Sequence, residues 1–208
     1  MRRTLVAGLL IVTLATGGCS GGGGGGAGAT PQETFDAMKA AAVKKDWGGM
    51  VACMTPQTQE MMLGGMAMMV QFMGAMPGGE KFKGAADILT RHGAKLDAKP
   101  DMSSLVGGPD AKANPQEALK KVVGDVKDKP ACLAEVMAWL EKNGDEKTKS
   151  GMNSEQMANS TLTDVKIDGD KATAKITSKK DGKDDSQDVH FLKIDGRWYA
   201  DMSAAMGQ

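Results

Sequence analysis

The side chains best suited to acid–base chemistry are two histidines on different predicted elements. His190 lies in a predicted strand, and a tight Asp195-Gly196 turn places it opposite Asp201 on the next strand. We interpret this pair as a polar contact at the end of a sheet. His92 directly precedes Gly93, where a helix C-terminus favours a cation, so we expect a capping role. The chain has no HExxH, CxxC, GxSxG or Walker motif, so we predict no catalytic centre, no metal and no cofactor.

A stripe of methionines runs along residues 61–76, which form a predicted helix without a single charge. The methionines are spaced alternately four and three residues apart and therefore share one helix face: Met62, Met66, Met69, Met73 and Met76. We favour a core helix whose methionines fill irregular gaps. The alternatives are a soft apolar groove or membrane-apposed surface, a Cu(I) site built from thioethers, and a transmembrane span, which Gln71 and several glycines interrupt.

The charge balance argues against a nucleic-acid partner. The chain has 26 lysines and arginines against 26 aspartates and glutamates, so it has no basic field to attract phosphates. Four acidic residues near the C-terminus alternate with lysines and lack the ligand spacing of an EF-hand, so we expect a solvated hairpin tip and not a calcium site: Asp181, Asp184, Asp185 and Asp188.

Residues 159–202 have the pattern of an antiparallel sheet. Alternating apolar residues flank a Gly169-Asp170 turn, a polar bend follows at residues 179–185, and a second hairpin closes at Asp195-Gly196. This pattern predicts a meander of about four strands. Phe191 and Trp198 share the strand face that we expect to pack against helices.

Several amphipathic helices are predicted before the sheet. Prolines at first helical positions follow capping residues at Thr30, Thr55 and Asn114, and Pro130 opens a fourth helix. Apolar residues recur at helical spacing in residues 82–89, 119–126 and 133–140. None of these helices would be stable alone, so we predict an α+β domain whose helices pack on one another and on the sheet. Residues 97–113 have no such period, and we expect a surface connection there.

The N-terminus has the layout of an export signal. A basic start is followed by apolar residues 5–15, too short for a conventional membrane span, and then by small residues and Cys19. A cysteine in this position resembles the bacterial lipobox, which implies lipidation of Cys19 as the mature N-terminus. The alternatives are an ordinary cleaved signal or an uncleaved anchor. The predicted organisation is a signal peptide (1–18), a lipidated cysteine with a glycine-rich tether spanning about 18 Å (19–29), and one domain (30–208), exported and held on a membrane of the cell envelope, facing the periplasm.

Two further cysteines remain, Cys53 and Cys132. Outside the cytoplasm they could form a disulfide that closes a long loop. The alternative is a pair of buried, reduced cysteines acting as small apolar residues on two helices.

The closing DGRWY at residues 195–199, together with the IDGDKATA hairpin at residues 167–174, resembles the final sheet of small bacterial envelope proteins of the NTF2-like (cone-shaped α+β) group. The resemblance covers about residues 164–199, with a looser match at residues 30–54, where a helix and KKDW are similar to the opening of that domain. It implies a cone in whose mouth His190 and Asp201 could do general acid–base work, as in ketosteroid-isomerase-like members of the wider group.

Two functions follow from these observations. The favoured one is a non-catalytic lipoprotein that binds an envelope protein or a small apolar ligand in a cavity between the sheet and the methionine-bearing helix. The candidate lining residues are Met62, Met66, Met69, Met73, Phe191 and Trp198. The alternative is an NTF2-like enzyme that uses His190 and Asp201 to isomerise or hydrolyse an apolar substrate.

Overall fold

The computed structural model describes residues 26–96, 115–144, 154–180 and 183–203. Several predicted features lie outside the described residues: the signal peptide, Cys19, most of the glycine tether, the connection at residues 97–113 and Asp181.

Helices precede strands throughout, as predicted for an α+β domain. The helices are α1 (Pro31–Val43), α2 (Trp47–Ala52), α3 (Pro56–Gly74), a short 3₁₀ helix (Gly79–Phe82), α4 (Lys83–Arg91), α5 (Pro115–Val123), α6 (Lys129–Asn143) and α7 (Ser154–Ala158). The strands are β1 (Thr161–Asp168), β2 (Lys171–Lys180), β3 (Lys183–Ile194) and β4 (Arg197–Asp201).

The predicted helix starts at Thr30 and Thr55 are confirmed. The Thr30 hydroxyl accepts a hydrogen bond from the backbone N–H of Glu33, and the Glu33 carboxylate accepts one from the N–H of Ala29, which completes a capping box displaced by one residue. Thr55 caps α3 in the same way through the N–H of Thr58. The helix opened by Pro130 has Asp128 as its cap, two residues before the proline.

The four strands form one antiparallel sheet in the order β1-β2-β3-β4, which confirms the predicted meander. Asp195 and Gly196 both have positive φ, as a type I′ hairpin turn requires. Two features were not predicted. A bulge interrupts the β1–β2 register between Thr163 and Lys166, where Asp164 adopts a left-handed conformation. β2 and β3 also extend into the predicted bend at residues 179–185, since β2 reaches Lys180 and β3 begins at Lys183, and Lys179 is paired with Asp184.

The outer edge of β4 is hydrogen-bonded to the N-terminal part of the chain. The N–H of Trp198 donates to the carbonyl of Gly28, and the carbonyl of Trp198 accepts from the Thr34 hydroxyl at 2.8 Å. Further along, the N–H of Ala200 donates to the carbonyl of Cys53, and the carbonyl of Ala200 accepts from the N–H of Thr55. This edge of the sheet is therefore covered and cannot pair with another strand.

The core lies between one face of the sheet and the helices. Ala172, Phe191 and Trp198 are buried on that face, and α1 crosses it, contributing Phe35 and Met38. The helix α3 meets the sheet only near its first turn, beside the end of β4, and packs mainly against α5, α6 and the 3₁₀ helix. α1 thus covers the inner face of the sheet, whereas α3 packs with other helices beside the sheet.

Candidate functional site

His190 and Asp201 are paired in register across β3 and β4, as predicted. His190 is half-buried on the sheet face that points away from the helices, since its neighbour Phe191 faces the core. Oδ1 of Asp201 accepts hydrogen bonds from the backbone N–H and hydroxyl of Ser203 at 3.0 and 2.5 Å, with Thr58 Oγ1 at 3.4 Å. Within the described ranges no hydrogen bond joins His190 to Asp201. The acid–base role of the pair stays a prediction.

An open depression of about 450 Å³ lies on this outer sheet face and includes His190 but not Asp201. Its walls carry charges of both signs on exposed side chains, with Nζ of Lys175 at 3.8 Å from the Asp164 carboxylate. The lining residues are Asp164, Lys166, Thr173, Ala174, Lys175, Asp188 and His190. Such a surface is polar and open to water, which does not suit an apolar substrate.

The proposed cavity residues occupy two separate places. Phe191 and Trp198 are 2% and 3% exposed and pack in the core below α1. Met62, Met66 and Met73 border the core from α3, where they are partly buried. None of these residues lines the outer depression or the small cleft between α3 and α5. That cleft holds about 20 Å³, which is room for about one water molecule.

α3 does not bury the methionine face that the sequence predicted as its core face. Leu63, Ala67 and Val70 form its buried face, and Gly64 lies against Leu119 of α5 so closely that a Cβ there would be 2.8 Å from the leucine Cβ. The helix face that carries the methionines therefore lies partly at the surface of the protein. Met62, Met66 and Met73 pack at the margin of the core, whereas Met69 is exposed. The prediction that Met76 shares this helix face is wrong, because α3 ends at Gly74 and Met76 is exposed beyond it.

An exposed apolar surface results on the side of α3 that is turned away from the core. Met69 and Phe72 are 39% and 49% exposed, and Gly65 lies in the same row, where an added Cβ would meet no packed neighbour within 4 Å. Met76 is 45% exposed but lies beyond α3, which ends at Gly74. We call the row of Gly65, Met69 and Phe72 the outer face of α3. Phe72 was not among the predicted site residues, although an aromatic residue three positions after Met69 in an uncharged helix is a usable signal.

No helix in the described part of the chain has the length and apolar character needed to cross a membrane. The predicted transmembrane alternative for residues 61–76 therefore finds no support in α3, whose inward face is packed against other helices.

Both remaining cysteines are free, buried thiols, so no disulfide joins Cys53 to Cys132 in this structure. Cys53 follows the last residue of α2 and its Sγ lies 3.3 Å from the carbonyl oxygen of Gly49. Burial raises the pKa of each thiol to about 11, with smaller contributions from nearby carboxylates, Asp46 for Cys53 and Glu135 for Cys132. Neither is an activated nucleophile.

His92 ends α4 as its C-cap residue, as its sequence position indicated. Its Nε2 lies 2.8 Å from a carboxylate oxygen of Glu135 on α6, and Arg91 pairs with the other oxygen. Hydrogen bonds from His92 and Arg91 hold the pKa of Glu135 below its ordinary value. The cluster ties α4 to α6, and among the residues that the structure describes no three His, Cys, Asp or Glu side chains come together as a metal site.

Comparisons of this chain with protein-family models, with curated proteins and with solved structures find no significant match.

Proposed function

We propose that this protein is a membrane-anchored lipoprotein whose α+β body is a non-catalytic interaction domain that binds a protein partner through the outer face of α3. The observation that carries the proposal is the exposure of Met69 and Phe72 in one row of α3, with Met76 exposed just beyond the end of the helix. The segment that carries them is uncharged, because no charged residue occurs in residues 61–79. Contiguous exposed apolar surface of this kind marks interaction sites on soluble domains.

The shape of the surface favours a protein partner over a small apolar ligand. Small-molecule sites are concave and enclose roughly 300 to 1,000 Å³. The outer face of α3 is a convex helix surface, and the neighbouring cleft between α3 and α5 has only about 20 Å³. Methionine side chains adapt to irregular apolar surfaces, which suits contact with another polypeptide.

The anchor and the finer fold assignment rest on the sequence. The lipobox-like position of Cys19 and the glycine-rich segment after it support a body tethered to a membrane of the cell envelope. The closing DGRWY turn and the IDGDKATA hairpin support an NTF2-like variant of the α+β fold. A four-stranded meander preceded by helices is compatible with that assignment.

Site-specific photo-crosslinking in intact cells tests the binding surface. A photo-reactive phenylalanine analogue at position 72 is expected to form a discrete protein adduct. The same analogue at Val43, which is 58% exposed on α1, is the matched control and is expected to form none. Equal adducts from both positions, or none from either, would refute the proposed binding face.

Metabolic labelling with a fatty acid tests the anchor separately. The wild-type chain is expected to incorporate label and to partition with detergent, and Cys19→Ser is expected to do neither. Unchanged partitioning of the Cys19→Ser protein would show that lipid on this residue does not hold the chain at the membrane.

A further inference from the structure

We propose that the free edge of β3, residues 185–189, accepts an extended basic segment of a partner protein as an added strand of the sheet. This edge is formed by other residues than the outer face of α3 and does not depend on the lipid anchor, so the inference goes beyond the proposed function. The partner is identified by its chemistry, which is that of a strand-forming segment carrying lysine or arginine.

The free edge exists because β3 is much longer than β4. β3 has twelve residues and β4 has five, and β4 pairs only with the stretch from His190 to Ile194. On its other side, β3 is paired with β2 from Lys183 to Leu192. In the part of the chain that the structure describes, no strand or bridge pairs with residues 185–189 on the β4 side. Alternate backbone N–H and C=O groups there lack a sheet partner.

β4 ends because other hydrogen bonds turn the chain away from β3. The pairing of His190 with Asp201 places the next position of a continued ladder, Met202, opposite Val189. The N–H of Met202 donates instead to the hydroxyl oxygen of Thr58 at 3.0 Å. The N–H of the following residue donates to the Asp201 carboxylate at 3.0 Å. The path of β4 therefore leaves residues 185–189 uncovered.

The other edges of the sheet are less suited to a new strand. The edge of β4 is hydrogen-bonded to the N-terminal part of the chain. β1 has a bulge between Thr163 and Lys166, which interrupts the regular alternation of N–H and C=O groups that an added strand needs. β3 keeps an unbroken register with β2 over residues 183–192, so its free edge is regular.

Charge selects a basic strand for this edge. Asp185 and Asp188 are exposed, and residues 184–189 contain no lysine or arginine. Lys175 of β2 lies opposite Asp188, but its Nζ is 3.8 Å from the carboxylate of Asp164, and within the described ranges no ion pair includes Asp188. A cation at the facing position of an added strand would pair with this carboxylate from the open side.

The same carboxylates disfavour a second copy of this chain as the added strand. Antiparallel pairing of two such edges would bring Asp185 and Asp188 of one copy beside those of the other, and like charges across a ladder repel. Charged residues on a free edge commonly prevent sheets from joining in this way. A basic strand gains both the backbone hydrogen bonds and the ion pair.

Peptide binding to the full-length chain in detergent micelles tests the proposal. The probe is a synthetic peptide that copies residues 171–178, the part of β2 that already pairs with this stretch of β3 and carries Lys171 and Lys175. It is expected to bind at least ten times more tightly than the same peptide with both lysines replaced by glutamate. Proline at alternate positions removes the N–H groups of the ladder and is expected to abolish binding. Equal binding of the three peptides would overturn the inference.

Backbone hydrogen exchange locates the bound peptide. The edge amides of residues 185–189 are expected to exchange at least ten times more slowly when the peptide is bound, while the amides of β1 exchange as before. Protection of β1 or α3 without protection of β3, or protection of no segment, would overturn the inference.

Charge reversal at the edge tests recognition of the basic side chain. Asp188→Lys is expected to weaken binding of the basic peptide at least fivefold, and Asp188→Asn about threefold, which keeps the test decisive if the lysine variant is unstable. Asp168→Lys is the matched control, because it makes the same charge change at an exposed position of β1, and it is expected to alter binding less than twofold. Circular dichroism verifies that each variant is folded. Equal weakening by Asp188→Lys and Asp168→Lys would overturn the inference.

Removal of residues 204–208 distinguishes a partner from the end of this chain. The shortened chain is expected to bind the basic peptide as tightly as the full chain does. Binding that appears only after the removal would show that residues 204–208 occupy the edge themselves, and this result would overturn the inference.

Discussion

Buried thiols are the clearest chemical feature at the scale of single residues. Cys53 and Cys132 are 1% and 0% exposed, and their pKa values are raised from 9.0 to about 11, mainly by burial. A thiol must be both reachable and ionised to react. We therefore interpret both as small apolar core residues, without a redox or nucleophilic role.

Thiol labelling of the Cys19→Ser protein measures this directly. At pH 8 a rise of two pKa units lowers the thiolate fraction about 100-fold, and burial slows labelling further because the protein must open first. We expect both cysteines to label at least 100-fold more slowly in the native protein than in denaturant. Native labelling as fast as in denaturant would contradict the burial of these side chains.

The carboxylate of Glu135 gives a pH-dependent prediction. Hydrogen bonds from His92 and then Arg91 lower its pKa from 4.5 in the folded protein. A depressed folded-state pKa contributes stability that is fully present above the unfolded value and is lost as the pH falls through the folded value. Glu135→Gln should therefore lower the free energy of unfolding at pH 7, and its effect should shrink as the pH falls below 4.5 toward the folded-state pKa.

Urea denaturation of wild type and Glu135→Gln at pH 7 and pH 3 tests this expectation. Asp87→Asn is the matched control, since Asp87 forms an exposed pair with Lys83 on one helix and such pairs contribute little. A difference between wild type and Glu135→Gln that is as large at pH 3 as at pH 7 would show that ionisation of Glu135 is not its source.

Among the elements, α3 depends on two adjacent glycines in opposite ways. Gly64 faces α5, where a Cβ would lie 2.8 Å from Cβ of Leu119, whereas Gly65 faces solvent. The close approach at Gly64 lies on the buried side of this largely apolar helix. Gly65 leaves the outer face open.

Alanine at each glycine separates these effects. Gly64→Ala is expected to destabilise the protein by about 1 to 3 kcal/mol, because the added methyl group forces α3 and α5 apart. Gly65→Ala is expected to be neutral or to stabilise by up to about 1 kcal/mol through helix propensity. Thermal and urea denaturation of both variants measure the difference. Equal effects from the two substitutions would mean that α5 does not contact α3 at Gly64.

Helix caps and the hairpin turn were predictable because local sequence encodes them. The Asp195-Gly196 turn fixes the register of β3 and β4 locally, which is why the pairing of His190 with Asp201 was predictable. The caps at Thr30 and Thr55 are equally local. The buried face of α3 was not predictable from periodicity, because most residues of this helix are apolar and its buried side depends on contacts with distant residues, such as that of Gly64 with Leu119.

At the scale of the whole molecule, the edge of β4 joins the two ends of the described chain. The residues that cover it, Gly28 and Cys53 among them, have no strand-like pattern of their own, so these contacts could not be predicted from local sequence. Their positions depend on tertiary packing. The sequence predicted the sheet and its helices. It did not predict that α1, and not α3, would pack on the sheet, because that choice also depends on tertiary packing.

Proline at Ala200 tests the importance of this edge. Ala200→Pro removes the N–H that donates to Cys53 and is expected to destabilise the whole body by about 3 kcal/mol, with loss of helix and sheet signals in one transition. Ala200→Gly keeps that N–H and is expected to cost about 1 kcal/mol. Circular dichroism during urea denaturation follows both. Separate unfolding of helices and sheet in the proline variant would show that the edge does not couple them.

The covered edge of β4 also sets an order of events during synthesis. Thr34 and Trp198 are hydrogen-bonded although 164 residues separate them, so the first helix reaches its final place only after the last strand exists. The N-terminal half of the chain therefore emerges from the ribosome before this contact can form, and contacts between such distant segments generally slow folding. For the exported lipoprotein proposed above, this delay would keep the chain unfolded until its last strand has been made.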